Sequence, residues 1–288
     1  MFPMIWGQAS AFATTNAPAT SPTNSSLPIV HPASFQVTGS SEDQFLLGRA
    51  YARGEGVTQS YELAGCWYRK AADQGNLKAM HNLGILYLEG IGITKNEVEG
   101  YKLIRQAAEQ GDPKSAETLG ILLSKGIGVR ADPLAAREWL EKGVKSGSPQ
   151  SMLYLGRQEL KGEDPAIRKS GVDLILRAAD LGAGPACLEA GRLLESGSSV
   201  LHADKARAAE YFKKGALAGD PWCSYQYASI IMGRSALEAY PWAKIAAEAH
   251  VPPAVGLYQE CLGYLTPEER LKGDSFANAI TSAKKDHH

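Results

Sequence analysis

From residue 42 onward, apolar positions recur at helical spacing in short segments, and the segments themselves repeat. In AMHNLGILYLEG, Ala79, Leu83 and Tyr87 fall four residues apart and share one face of a helix. That face is expected to be buried, which makes this segment the first helix, A, of a two-helix unit. The GIGI that follows it, with GEGV and GIGV in neighbouring copies, supplies glycines that take positive φ and end the helix in a tight turn. The second helix, B, has its own pattern. Eleven residues before a later marker stand Ala64, Gly100, Ala136, Gly171, Ala208 and Ala239, small enough for close helix approach. Eight residues before it stand Trp67, Leu103, Trp139, Leu174, Tyr211 and Trp242, expected as core plugs worth about 1.5–3 kcal/mol each.

Two glycine series fix the period. Gly48, Gly84, Gly120 and Gly156 follow one another at 36 residues, and Gly191 and a degenerate Ala228 continue the series. Gly75, Gly111, Gly147, Gly182 and Gly219 keep the same register, with His250 in the sixth copy. A period of this length predicts a stacked array rather than separate compact domains. Past it, a half-kept helix A from Ala254 leads to a capping helix that starts at Thr266, an N-cap residue, with Pro267 in its first turn and Glu268 and Glu269 behind.

Composition removes several classes of function. The formal net charge is -1, so no overall field draws the chain to nucleic acid or to an anionic membrane. No basic stretch interleaved with stacking aromatics appears either, so nucleic acid is not an expected partner. No apolar run approaches the roughly 20 residues of a membrane-spanning helix, so no membrane span is expected. Residues 1–41 hold no Lys, Arg, Asp or Glu and are rich in Ser, Thr, Pro and Ala, the composition of a disordered leader. Its Ala11-Phe12-Ala13 has the form of the end of a secretory signal. Export and a tail without targeting meaning both stay open.

The search for chemistry yields little. His31, His81, His202, His250, His287 and His288 form no HExxH, and with no CxxC present, no metal or other cofactor is expected. The GxG turns follow helices rather than strands, which excludes a nucleotide loop. Cys66, Cys187, Cys223 and Cys261 are irregularly spaced and are expected as buried free thiols. Cys187 and Cys223 begin successive A helices, so one disulfide stays open.

The segments AMHNLGILYLEGIGI, ELAGCWYRKAADQGN and EGYKLIRQAAEQGD resemble Sel-one-like repeats, relatives of the tetratricopeptide repeat. The resemblance covers roughly Glu42 to Ala254 and weakens in the fourth copy, where Glu159 replaces an aromatic, and in the sixth, whose loop is short. It implies an all-α fold, a right-handed α/α superhelical solenoid of about six two-helix repeats with a C-terminal capping helix. The expected divisions are a leader over 1–41, the array over 42–253, and a half repeat, capping helix and tail over 254–288. Some exported relatives bridge the helices of each hairpin with paired cysteines, a pattern this chain lacks. Some have been linked to β-lactamase-like activity, but the one SxxK here, Ser282 to Lys285, has no companion SDN or KTG and reads as coincidence. The chain is therefore not expected to be an enzyme.

In tetratricopeptide arrays, helix A lines the concave groove, and the resemblance implies the same here. The positions opposite the buried face give Arg49, Arg53, His81, Glu89, Glu117, Lys125, Arg157, Lys161, Arg192 and Tyr225. Basic residues outnumber acidic ones six to two, so a locally basic groove is expected to accept an acidic or carboxylate-bearing segment of a protein partner. The expected role is an adaptor. The alternatives are an immunity protein neutralising an effector toxin of type VI secretion and, less favoured, a β-lactamase-like hydrolase. The expected compartment is the bacterial periplasm or envelope, otherwise the cytoplasm.

Overall fold

The computed structural model describes residues 39–285. Most of the expected leader, with its signal-like Ala11-Phe12-Ala13, lies outside the described residues, as does the His287–His288 pair. Among the described residues there are helices and turns but no β-strand; one isolated bridge joins Ser198 and Leu201. The helices fall into two compact units divided after Ser151. The first holds α1 (Ser41–Arg53), α2 (Tyr61–Asp73), α3 (Leu77–Glu89), α4 (Glu97–Glu109), α5 (Pro113–Lys125) and α6 (Pro133–Lys145). Helix α7 (Pro149–Leu160) crosses the division, and the second unit continues with α8 (Pro165–Asp180), α9 (Gly184–Ser196), α10 (Lys205–Leu217), α11 (Pro221–Met232), α12 (Ala236–Glu248), α13 (Pro252–Tyr264) and α14 (Pro267–Lys285).

Local chemistry sets the helix ends. Ser60, Asn96, Asp132, Asp164, Asp204 and Ser235 each accept a backbone N–H at the start of a B helix, and proline occupies the first turn of α5, α7, α9, α11 and α13. The B helices α2, α4, α6, α8 and α10 are each followed by a marker glycine at positive φ, for example 85° at Gly75 and 98° at Gly111. In the sixth copy His250 holds φ 58°, the one non-glycine at positive φ among the described residues.

The glycines of the first series sit where a B helix presses on its A helix. A Cβ at Gly84 would stand 2.8 Å from Ile104, and one at Gly120 2.9 Å from Leu140; Gly48 faces Tyr68, Gly156 faces Ile175 and Gly191 faces Phe212 in the same way. These partners lie seven residues before the second marker, not eight, and all are buried. The expected plugs at the eighth place are buried in the second unit, at Leu174, Tyr211 and Trp242, but only half-buried in the first. There Lys70 stacks 4.3 Å from the centre of the Trp67 ring and Lys142 3.7 Å from that of Trp139. In the first unit the core plug is thus the seventh residue with the eighth on its outer flank, whereas in the second unit the eighth is buried as well.

The A helices are also more enclosed than one apolar face requires. In α3, Met80, Leu86 and Leu88 are buried along with Ala79 and Leu83. The reason is contact on both sides: α3 packs against α2 as well as α4, and α5 against α4 as well as α6.

Candidate functional site

In the first unit the candidate side chains come from α1, α3 and α5. Arg49 lies half-buried on α1, and its Nε is buried without a hydrogen-bonding partner; Glu89 at the end of α3 leaves Oε1 in the same condition. Groups of this kind are uncommon in folded proteins because desolvation costs about 1–3 kcal/mol unless something pairs with them. Arg53 is exposed and pairs with Glu55 at 3.3 Å. Lys125 is exposed at the end of α5.

His81 and Glu117 hold successive A helices together. His81 Nδ1 lies 3.1 Å from the Ser115 hydroxyl of α5, and burial brings its pKa down to about 4, so the ring is neutral at pH 7. The Ser148 hydroxyl, just before α7, donates to Glu117. Both therefore face the adjoining helix rather than open groove.

In the second unit the side chains come from α7, α9 and α11. Arg157 donates from Nη2 to Glu189 Oε2 at 2.6 Å and from Nε at 3.0 Å, so its charge is already matched by the next A helix. Lys161 is exposed just past α7. Arg192 is exposed on α9 and forms no salt bridge among the described residues. Tyr225 on α11 meets Trp222 edge to face at 6.5 Å, and Trp222 is itself 39% exposed. The sequence reading missed both Glu189 and Trp222, because each lies off the three positions taken to line the groove. The spacing signal was present: Glu189 stands 32 residues after Arg157, close to one repeat.

Elsewhere in the first unit, a shallow hollow of about 350 Å³ opens between α4, α5 and α6, lined by Glu109, Pro113, Ala116, Trp139, Lys142 and Gly143 among others. In its wall Ala116 stands where the preceding repeat carries the larger Met80. Among the described residues no group of three or more His, Cys, Asp or Glu is placed to hold a metal ion, and no helix is long and apolar enough to cross a membrane. Ser282 lies at the exposed end of α14.

Comparison with known proteins bears on the same repeats. The Sel1 repeat family model matches residues 41–76, 77–112, 114–148 and 184–220, together half of the chain. Among solved structures, a Sel1 repeat protein from Oxalobacter formigenes is 29% identical, with a TM-score of 0.64, over 75% of this chain and 87% of that one. Two immunity proteins from Pseudomonas aeruginosa are 20% and 19% identical, each with a TM-score of 0.49, over 82% of this chain and 84% of theirs. Likeness at that level says nothing about what this chain binds. No curated protein matches it.

Proposed function

The chain belongs to the Sel1 repeat family, and from that premise we propose that it is a non-catalytic scaffold that binds a protein partner along the exposed faces of its A helices. One observation carries the proposal: those faces hold charged side chains, half-buried Arg49 and Glu89 in the first unit and exposed Arg192 in the second, that no salt bridge among the described residues matches. An acidic or carboxylate-bearing segment suits the two arginines, since a guanidinium binds carboxylate through two parallel hydrogen bonds. Arg157 is not counted among the free cations, because Glu189 satisfies it. In the second unit Trp222 and Tyr225 on α11 supply the aromatic surface that interfaces favour. Neutralising a secreted effector would be the same binding role with one dedicated partner, in a bacterial envelope or periplasmic setting.

The test uses the full chain as bait in a native extract, beside Arg49→Glu and Arg192→Glu, with circular dichroism to confirm helix content. The expected result is loss of captured protein with one or both variants. A single stoichiometric partner would mark a dedicated inhibitor, and several would mark an adaptor. Partners retained in full by both variants would overturn the assignment to the A faces. Hydrolysis of a chromogenic β-lactam by the wild-type chain but not by Ser282→Ala would overturn the non-catalytic part.

A further inference from the structure

The second unit places two thiols against one missing side chain. Cys187 on α9 and Cys223 on α11 are both fully buried and both free. Between them lies Gly215 of α10. A Cβ built there would stand 2.9 Å from the Cys187 Cβ and 2.9 Å from the Cys223 Cβ, with the Cys223 sulfur nearer still. Each cysteine Cβ is that far from the same point, so the two are separated by no more than twice 2.9 Å. A disulfide spans roughly 3.5–4.5 Å between Cβ atoms, so closing one needs a shift of at most about 1–2 Å. The present hydrogen bonds oppose it weakly. The Cys187 thiol donates to the Ala179 carbonyl at 3.4 Å and the Cys223 thiol to the Gly184 carbonyl at 3.7 Å, and rotation about χ1 releases each.

We propose that Cys187 and Cys223 form a disulfide that staples two successive A helices, α9 and α11, when the chain folds in the presence of a small-molecule or protein disulfide. One cysteine thiolate attacks a sulfur of the donor disulfide, whose S–S bond breaks and releases one donor thiol. The second cysteine thiolate then attacks the cysteine sulfur of the mixed disulfide and releases the other donor thiol. The two cysteines lose two protons and two electrons, and the donor is reduced to two thiols. The bond joins neighbouring hairpins rather than the two helices of one hairpin, and it stands independently of what the A faces bind. Burial pushes the Cys187 thiol up to about 11 and the Cys223 thiol higher, so exchange belongs to the folding chain, before α10 closes over the pair.

The experiment is to unfold and reduce the full chain, refold it with glutathione disulfide and glutathione or with dithiothreitol, then alkylate and measure intact mass and linked peptides. The expected product of oxidative refolding has lost two hydrogens and yields one dominant cross-link, Cys187 to Cys223. Its Tm is higher than that of the reduced form by roughly 5–15 °C, the gain expected for closing a loop of about 36 residues. Cys223→Ala and Cys187→Ala should each remove that difference between the two refolding conditions. Alkylation of both thiols in the oxidatively refolded chain, glutathione adducts on them, a dominant link to Cys66 or Cys261, or an oxidised product short of the helix content of the reduced one would each overturn the proposal.

Discussion

Gly143 and Gly215 occupy the same place in two B helices, four residues before the marker glycine, and each faces a side chain larger than alanine on the next A helix. A Cβ at Gly143 would stand 2.7 Å from the Ser151 Cβ, and the Ser151 hydroxyl is nearer still; Cys223 crowds Gly215 in the same manner. Where the B helix carries alanine instead, as at Ala71, Ala178 and Ala246, the residues eight places on, equivalent to Ser151 and Cys223, are Ala79, Ala186 and Ala254. Ala107 is followed eight places on by Ser115, whose hydroxyl lies 3.1 Å from His81 Nδ1. The pair shares one fixed volume. Gly215→Ala should therefore destabilise by about 1–3 kcal/mol, and adding Cys223→Ala should recover part of the loss in a denaturant double-mutant cycle, since the Cys187 and Cys223 Cβ atoms both remain 2.9 Å from the added methyl. Additive effects would show that the two positions are not packed on each other.

Two further residue-scale outcomes follow from backbone and charge. His250→Gly should stabilise by up to about 1 kcal/mol in thermal unfolding, because glycine takes positive φ without the Cβ penalty. His81 is neutral in the fold down to about pH 4, while the unfolded chain takes up its proton near 6.5. Between those values the unfolded state binds more protons, so stability falls as pH drops from 6.5 to 4, by roughly 3 kcal/mol in all. His81→Gln should flatten that slope in urea melts, and an unchanged slope would place the titration elsewhere. The glycine spacing was legible in the sequence, and so were the plugs Leu174, Tyr211 and Trp242, but in the first unit the buried plug is one residue further on. Residues seven and eight before the marker are both bulky in most copies, and only the position of the facing helix distinguishes core from flank.

At the scale of the element, the C-terminal segment departs from the repeat plan. Helix α14 packs against α12 rather than folding back on α13 as a B helix would. The contact has a polar latch: Tyr240 donates to Asp274 at 2.9 Å and Lys244 at 2.6 Å, while the Trp242 and Phe276 rings meet edge to face. Thr266 and Glu269 cap the start of α14 reciprocally, through bonds between each backbone N–H and the other side chain. The Lys244 hydrogen bond holds the Asp274 carboxyl below the usual carboxylate range. Its contribution is therefore present above about pH 4 and lost as pH falls through the lowered value. Asp274→Asn should speed hydrogen exchange in α14 by roughly tenfold, with α9–α12 unaffected. Equal acceleration throughout the second unit would mean that α14 is no separate latch. The helix and its Thr266 start were legible from capping residues, but its docking site was not, since no periodicity records that it skips α13.

For the molecule as a whole, the all-α repeat plan was legible because two marker series kept one register across the array. The candidate face was only partly so. Helical geometry places Arg49, Glu89 and Arg192 on A helices, yet it does not say that Glu189 neutralises Arg157 or that burial leaves His81 uncharged. Those outcomes depend on the neighbouring repeat, which a single helix wheel omits. The count of basic over acidic side chains thus overstates the free positive charge. The most direct check on the central claim is hydrogen exchange of the full chain alone and in complex with a partner captured from native extract. The account predicts protection concentrated in α1, α3 and α5 or in α9 and α11, around Arg49, Glu89 and Arg192. Protection confined to the outer flanks of α2, α4 and α6, with the A helices unchanged, would contradict it.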